Sequence, residues 1–308
     1  MKNVKKFLTV FLFTILLMIS IAPIISSNTS KTTIKIGFLL QSYDWMDTGV
    51  KFILFQYKRC LRAGERRYNV NFELKILMDD LNGGDVHNGA LENGDYDVIL
   101  APGGYGSWYT SETYREKIRN FISKGGGYYG ICGDSTFGGF TPDLSDGYKE
   151  MMGKFFDLKD VTEMLEVVNV CSNMSVFEEM IGDPNDISKT TIWKLLFGLA
   201  TSRAYIKFIP GIYSIQEPFY NKNVRIMLGN VPLIDAGKNN MPDVVDVGLF
   251  DGYDYPYPRS IVGQKAIVST TYGDGRVVLS APHPELTFGN TNAHHVFVRN
   301  LLWAANAK

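Results

Sequence analysis

Residues 124–140 read KGGGYYGICGDSTFGGF. The glycine triplet Gly125-Gly126-Gly127 leads into a short apolar run, then into Gly130-Ile131-Cys132-Gly133, and beyond it the chain reads as a turn and a helix start. A buried strand that must bend sharply and present one side chain at its apex has this composition. Small residues are needed two before and one or two after the apex, because neighbouring backbone crowds the turn. The side chain presented is Cys132. A thiol there would sit at the start of a helix, where free N–H groups and the dipole favour the thiolate. Taken alone, the same letters also fit a glycine-rich loop beside a core cysteine.

Outward from this elbow the chain alternates strands and helices. Residues 33–40 (TIKIGFLL) form an apolar, β-branched run of the kind that fills a buried parallel strand. Residues 46–61 place Val50, Ile53, Leu54, Tyr57 and Leu61 at helical spacing, and 69–77 alternate with Val70, Phe72, Leu74 and Ile76 on one face. A polar segment with paired glycines follows, in which His87 reads as exposed. Residues 96–101 (YDVILA) are another buried strand, ending in Pro102-Gly103-Gly104-Tyr105-Gly106, and 111–123 a helix with Ser111 as N-cap. Residues 127–131 then form the strand that carries Cys132. This cadence predicts a mostly parallel sheet with helices on both faces, and such sheets place their sites beyond the carboxyl ends of the strands.

The middle section, about 141–223, is less regular and is long enough for an insertion or cap; a strand is expected at 161–170 and a helix at 188–200. Its aromatics and Arg203 read as core rather than as pocket lining. Strands follow at 224–228 and 266–272, separated by the proline-stiffened aromatic loop 252–258, read as packing. Asp274-Gly275 is expected to turn the chain into a strand at 276–280, and a helix at 295–305 closes the domain, with His294 and His295 facing solvent at its start.

With 308 residues and 13% aromatics there is material for a substantial core, and a net charge of −1 argues against nucleic acid as partner. Lys2, Lys5 and Lys6 precede an apolar run at 7–25 and a polar stretch, so 1–32 read as an export signal or a retained N-terminal membrane anchor. Either places the domain 33–308 outside, secreted or held on the outer face of the cytoplasmic membrane through residues 7–25. Cys60, Cys132 and Cys171 are far apart with no CxxC, so no metal site is expected from cysteine spacing. Outside the cell Cys60 and Cys171 could pair, or both could be ordinary buried thiols.

A cysteine nucleophile needs a base, and the base an orienting group. His283 and Glu285 stand in one stiffened segment, Ala281-Pro282-His283-Pro284-Glu285. A residue before proline is pushed to extended geometry, where positions i and i+2 face the same way, so Glu285 can reach the imidazole. The expected catalytic set is Cys132, His283 and Glu285, with the backbone N–H groups of Gly104 and Gly133 as oxyanion hole.

PGGYG at 102–106, GGGYYGICG at 125–133 and GDGRVVLSAPHPE at 273–285, in that order, resemble the class I glutamine amidotransferase-like superfamily. Within it they look most like the N-terminal domain of biotin-protein ligase and its stand-alone relatives. The resemblance covers about 33–308, with the middle section matching poorly. It implies a flavodoxin-like three-layer sandwich with a mostly parallel sheet, and a Cys–His–Glu triad carried onto Cys132, His283 and Glu285. The related intracellular-protease and chaperone branch often has histidine directly after the nucleophile; here Gly133 follows, which favours the amidotransferase branch. Many members have the elbow GxCxG, whereas Asp134 stands in place of the last glycine. A carboxylate there would raise the Cys132 pKa, crowd the turn or cap the next helix. The chain has no room for an ammonia-using synthase domain. The expectation is therefore an exported cysteine-dependent amidase acting on a small-molecule or peptide amide through a Cys132 thioester, without cofactor. The alternatives are a catalytically idle module that binds a small molecule or partner at the same cleft, and an amidotransferase-type subunit with a separate partner.

Overall fold

The computed structural model describes residues 31–41, 50–104, 106–143, 145–147, 149–150, 163–183, 202–254 and 258–306. The apolar run 7–25, the helix expected at 188–200 and the centre of the aromatic loop lie outside these residues. Among the described residues no helix is long and apolar enough to cross a membrane.

Five strands form the parallel half of the sheet: β1 (Thr32–Gln41), β2 (Val70–Asp79), β3 (Val98–Ala101), β4 (Gly127–Ile131) and β11 (Gly275–Ser280). They lie side by side as β2-β1-β3-β4-β11, every neighbouring pair parallel. This is the flavodoxin-like strand order. Beyond β11 the sheet continues antiparallel through β10 (Lys265–Tyr272), β9 (Val245–Tyr253), β6 (Arg203–Phe208) and β7 (Asn223–Met227). A short pair, β5 (Val170–Ser172) and β8 (Leu233–Asp235), attaches to β10.

Alternation along the central strands builds the two cores. Tyr129 and Ile131 of β4 join Ile36, Phe38, Val98 and Leu100 on the face covered by α1 (Val50–Tyr68) and the closing helix, α6 (Thr291–Ala304). Tyr128 joins Ile99 and Leu77 on the opposite face, under α3 (Glu112–Ser123) and α4 (Gly133–Gly138). Every residue of β3 and β4 is buried, as expected of strands covered on both sides. Ser111 caps α3 by accepting the Tyr114 N–H. The remaining helices are α2 (Ala90–Asn93) and α5 (Met174–Ile181).

Several expected boundaries change. The helix read at 46–61 begins, in its described part, at Val50 and runs on to Tyr68, its last turns lying against α6 through Gly64 near Val298 and Tyr68 on the His295 ring. At the sheet edge Ile76 is exposed while Leu77 and Asp79 are buried, so the buried face switches along β2. Of the strand expected at 161–170, the described residues 163–169 are not strand and only Val170, the first residue of β5, is; residues 163–167 run irregularly, with Met164, Leu165 and Val167 buried. Within the middle section β6 extends the sheet laterally instead of lying over it. The β10–β11 turn is Gly273-Asp274, one residue earlier than expected; Gly273 takes φ +58°, the first central position of a tight hairpin turn.

Phe297 of α6 is fully buried against the rings of Tyr57 and Tyr129. Phe297→Ala is expected to cost about 3–5 kcal/mol of unfolding free energy by urea titration, with an unchanged slope.

Candidate active site

Strands β3, β4 and β11 are neighbours, so the loops leaving their carboxyl ends emerge together. From β3 comes Pro102-Gly103-Gly104, from β4 Cys132, and from β11 Ala281-Pro282-His283. Cys132 sits at φ 55°, ψ −122°, a conformation few non-glycine residues adopt, directly between the strand and α4. Its N–H is held by the Ser280 carbonyl at 2.8 Å, which prolongs the β4–β11 ladder. Its carbonyl accepts from the Ser135 N–H at 3.0 Å and from the Asn230 side-chain amide at 2.7 Å.

The structure brings Cys132, His283 and Glu285 together. His283 Nδ1 donates to Glu285 Oε1 at 2.6 Å, and the Cys132 side chain stands beside the ring, close enough that a Cβ added to Gly103 would touch both. Burial by itself would depress the His283 pKa, but the Cys132 sulfur and the Glu285 carboxylate outweigh it and raise the value from 6.5 to about 10. Glu285 is fully buried and also accepts the Tyr57 hydroxyl at 2.9 Å. The Tyr57 oxygen lies 3.3 Å from the Pro102 carbonyl, so one side chain of α1 touches both the acid and the PGG loop. Gln56 and Cys60 donate to the Glu285 carbonyl at 3.3 and 3.5 Å.

Gly104 and Gly133 also meet. A Cβ added to Gly133 would stand 1.8 Å from the Gly104 carbonyl oxygen and 3.3 Å from its nitrogen. Gly103 and Gly104 take φ +107° and +101°. Neither the Gly104 nor the Gly133 N–H donates to a protein acceptor among the described residues, which leaves both available to an incoming oxygen.

Asp134 neither crowds the turn nor caps α4. Its carboxylate is buried and reaches sideways, accepting the Gly103 N–H at 2.8 Å and the Ser107 hydroxyl. It ties the PGG loop to the elbow. The segment after β7 closes the site from the other side. The Gly229 carbonyl lies 3.2 Å from the Cys132 sulfur, and a Cβ on Gly229 would fall 2.5 Å from His283 Nε2. Asn230 also donates to Thr136 Oγ1 at 2.8 Å. Tyr57, Ser107, Gly229 and Asn230 carry no motif that sequence reading could find; Gly229 is 97 positions from Cys132.

Two readings are corrected here, that of His87 and that of the pair His294 and His295. His87 is not exposed: it is buried between Asp79 Oδ1 at 2.9 Å and Ser111 Oγ at 2.7 Å. His294 and His295 are buried inside α6 instead of facing solvent at its start, and burial, then nearby arginines, lowers both pKa values. Cys60 and Cys171 are free thiols; Cys60 is buried behind Glu285, where burial and that carboxylate push its pKa up to about 12. Among the described residues no group of three or more His, Cys, Asp or Glu is placed to hold a metal ion.

The chain matches no protein-family model and no curated protein sequence. Among solved structures it is similar to a β-galactosidase from Rahnella sp. R3, at 12% identity and TM-score 0.47 over 90% of this chain and 32% of that one, so it spans about a third of that enzyme. A ThuA-like protein from Parabacteroides merdae is similar at 11% identity and TM-score 0.47, over 89% and 90% of the two chains. The glutaminase domain of Trypanosoma brucei CTPS with bound acivicin is similar at 14% identity and TM-score 0.47, over 89% and 95%. The fold assignment rests on the strand order, not on these matches.

Two outcomes are expected. Asp134→Ala should destabilise the fold by about 1–3 kcal/mol, since it strands the buried Ser107 hydroxyl and the part-buried Gly103 N–H, and should raise amide exchange at Gly103 and Gly104. The His283 pKa is higher in the folded than in the unfolded state. Its contribution to stability is therefore complete below about pH 6.5 and lost as pH rises through about 10. The unfolding free energies of wild type and His283→Gln, compared across that range, should converge as pH rises; a constant difference would contradict it.

Proposed function

We propose that this chain is an exported, cysteine-dependent hydrolase of the glutamine amidotransferase-like type, cleaving a carboxamide or related amide C–N bond. One observation carries the reading: a cysteine in strained backbone geometry, standing beside a histidine that is itself held by a fully buried glutamate. The three sequence segments that resemble the biotin-protein ligase N-terminal domain support it, because they meet at this point.

In this reading Cys132 passes its proton to His283, and the sulfur attacks the acyl carbon. The carbonyl π electrons move to oxygen, and the resulting oxyanion is met by the N–H groups of Gly104 and Gly133. His283 gives the proton to the departing nitrogen, the C–N bond breaks, and a thioester on Cys132 remains. Water then attacks with His283 as base, and the C–S bond breaks to release a carboxylic acid and the thiol. Glu285 does not exchange protons; it fixes the ring tautomer and stabilises the imidazolium, as Tyr57 fixes Glu285. Gly229, against both reacting side chains, would limit the width of the acyl group. Residues 7–25 would serve for export or attachment to the outer face of the membrane.

A second reading has its own support. The Gly229 carbonyl beside the sulfur suits an idle module that binds a small molecule or partner while keeping the thiol covered. Iodoacetamide distinguishes the two. An active site is expected to label Cys132 far faster than Cys60 or Cys171 near neutral pH, His283→Ala slowing it by about 100-fold. Equal, slow labelling of all three thiols, with no ammonia released from glutamine or from a panel of amides and peptides, would leave only the binding module.

A further inference from the structure

A second hydroxyl–imidazole–carboxylate arrangement stands at the carboxyl end of the edge strand. Asp79 is the last residue of β2, His87 lies in the segment that follows, and Ser111 is the N-cap of α3. His87 Nδ1 is 2.9 Å from Asp79 Oδ1, and His87 Nε2 is 2.7 Å from Ser111 Oγ. The Asp79 side chain is fully buried and that of His87 is 8% exposed. The imidazole lies against the buried Tyr114 ring, centroids 5.6 Å apart, and Gln41 Nε2 fixes the Tyr114 hydroxyl at 2.7 Å. A substrate-sized motion of the imidazole is therefore restrained on two sides.

Counting protons fixes the direction of each bond. Both Asp79 oxygens accept the Val86 N–H at 3.1 Å, and Oδ1 also accepts the His87 N–H at 3.2 Å. The proton between Asp79 and the ring therefore sits on Nδ1, which leaves Nε2 of the neutral imidazole as an acceptor. Ser111 Oγ already accepts the Tyr114 N–H at 3.2 Å, and its single proton is directed at His87 Nε2. Capping α3 requires only the first of these contacts; the second is the resting geometry of a serine with its general base. The N–H groups of Glu112 and Thr113 open α3, and neither donates to a protein acceptor among the described residues. Ser111 is partly exposed and both following residues are exposed, so the site meets solvent. Arg115 and Arg119 hold the Glu112 carboxylate, which offsets its charge beside these donors.

We propose that Ser111, His87 and Asp79 form a second acyl-transfer site, which hydrolyses small carboxylic esters. Ser111 Oγ gives its proton to His87 Nε2 and bonds to the acyl carbon, and the carbonyl π electrons move to oxygen. The Glu112 and Thr113 N–H groups are the donors available to that oxyanion. His87 returns the proton to the departing alcohol oxygen as its C–O bond breaks, leaving an ester on Ser111. Water, with His87 as base, then releases the carboxylic acid and restores the hydroxyl. Asp79 holds the ring tautomer and exchanges no proton.

The probe is diisopropyl fluorophosphate on the full chain, read by intact mass and peptide mapping. Ser111 Oγ is expected to bond to phosphorus as fluoride leaves and the proton passes to His87, giving one adduct on the peptide that holds Ser111. His87→Gln is expected to slow this labelling by about 100-fold. Ser111→Asn keeps a good helix cap and is expected to stay folded by circular dichroism while losing the adduct. A serine that only caps a helix is not activated and takes no label. No adduct at Ser111 in the wild type, the same rate in His87→Gln, or other surface serines labelled as fast would overturn the proposal. Mapping assigns the adduct to its residue, so the outcome is independent of the function of Cys132.

Discussion

No side chain fits at position 133, because a Cβ there would lie 1.8 Å from the Gly104 carbonyl oxygen. That contact follows from β3 and β4 being parallel neighbours whose carboxyl ends release their loops at the same level of the sheet. With backbone against backbone, the PGG loop must take positive φ at Gly103 and Gly104, and its N–H groups turn toward the elbow. The strain at Cys132 persists because the surroundings over-determine it: Ser280 holds its N–H, while Ser135 and Asn230 hold its carbonyl. Asp134 closes the arrangement by taking the Gly103 N–H, so loop and elbow are one hydrogen-bonded unit.

The second constraint is the buried Glu285. A carboxylate out of reach of water must be compensated locally, and here His283 Nδ1 and the Tyr57 hydroxyl both donate to its Oε1. Because Tyr57 belongs to α1 and packs on Phe297 of α6, the helical layer on one face positions the acid of the triad. The His283 backbone is anchored separately: its N–H donates to the Met227 carbonyl at 2.7 Å. The antiparallel strands thus reach the site through β7, which also delivers Gly229 and Asn230 to the sulfur.

Most of the parallel half was legible in the letters. Runs such as VILA and GYYGI carry no charged residue because both faces of these strands are covered, and the loops between them carry the glycines that a close approach demands. The edge strand β2 was misread in phase because its two faces are buried at different ends, so period-two alternation stops being a guide after Leu74. His87, His294 and His295 were misplaced because a polar residue beside glycines or at a helix start usually faces water. Their burial depends on Asp79 and Ser111 for His87, and on the depth at which α6 beds into the sheet.

By itself the sequence determined the local geometry: which runs are strands, where the elbow bends, and that His283 and Glu285 share one side of a proline-stiffened segment. These are properties of periodicity, of glycine and proline backbone, and of separations of a few residues. Only the tertiary structure decided that Asp134 braces the PGG loop, that Tyr57 backs Glu285 and that the Gly229 carbonyl meets the thiol. Each of these contacts joins residues tens to hundreds of positions apart, or depends on a side chain choosing among several partners. That choice is made by packing and by the need to pair every buried polar group, neither of which leaves a pattern in the chain.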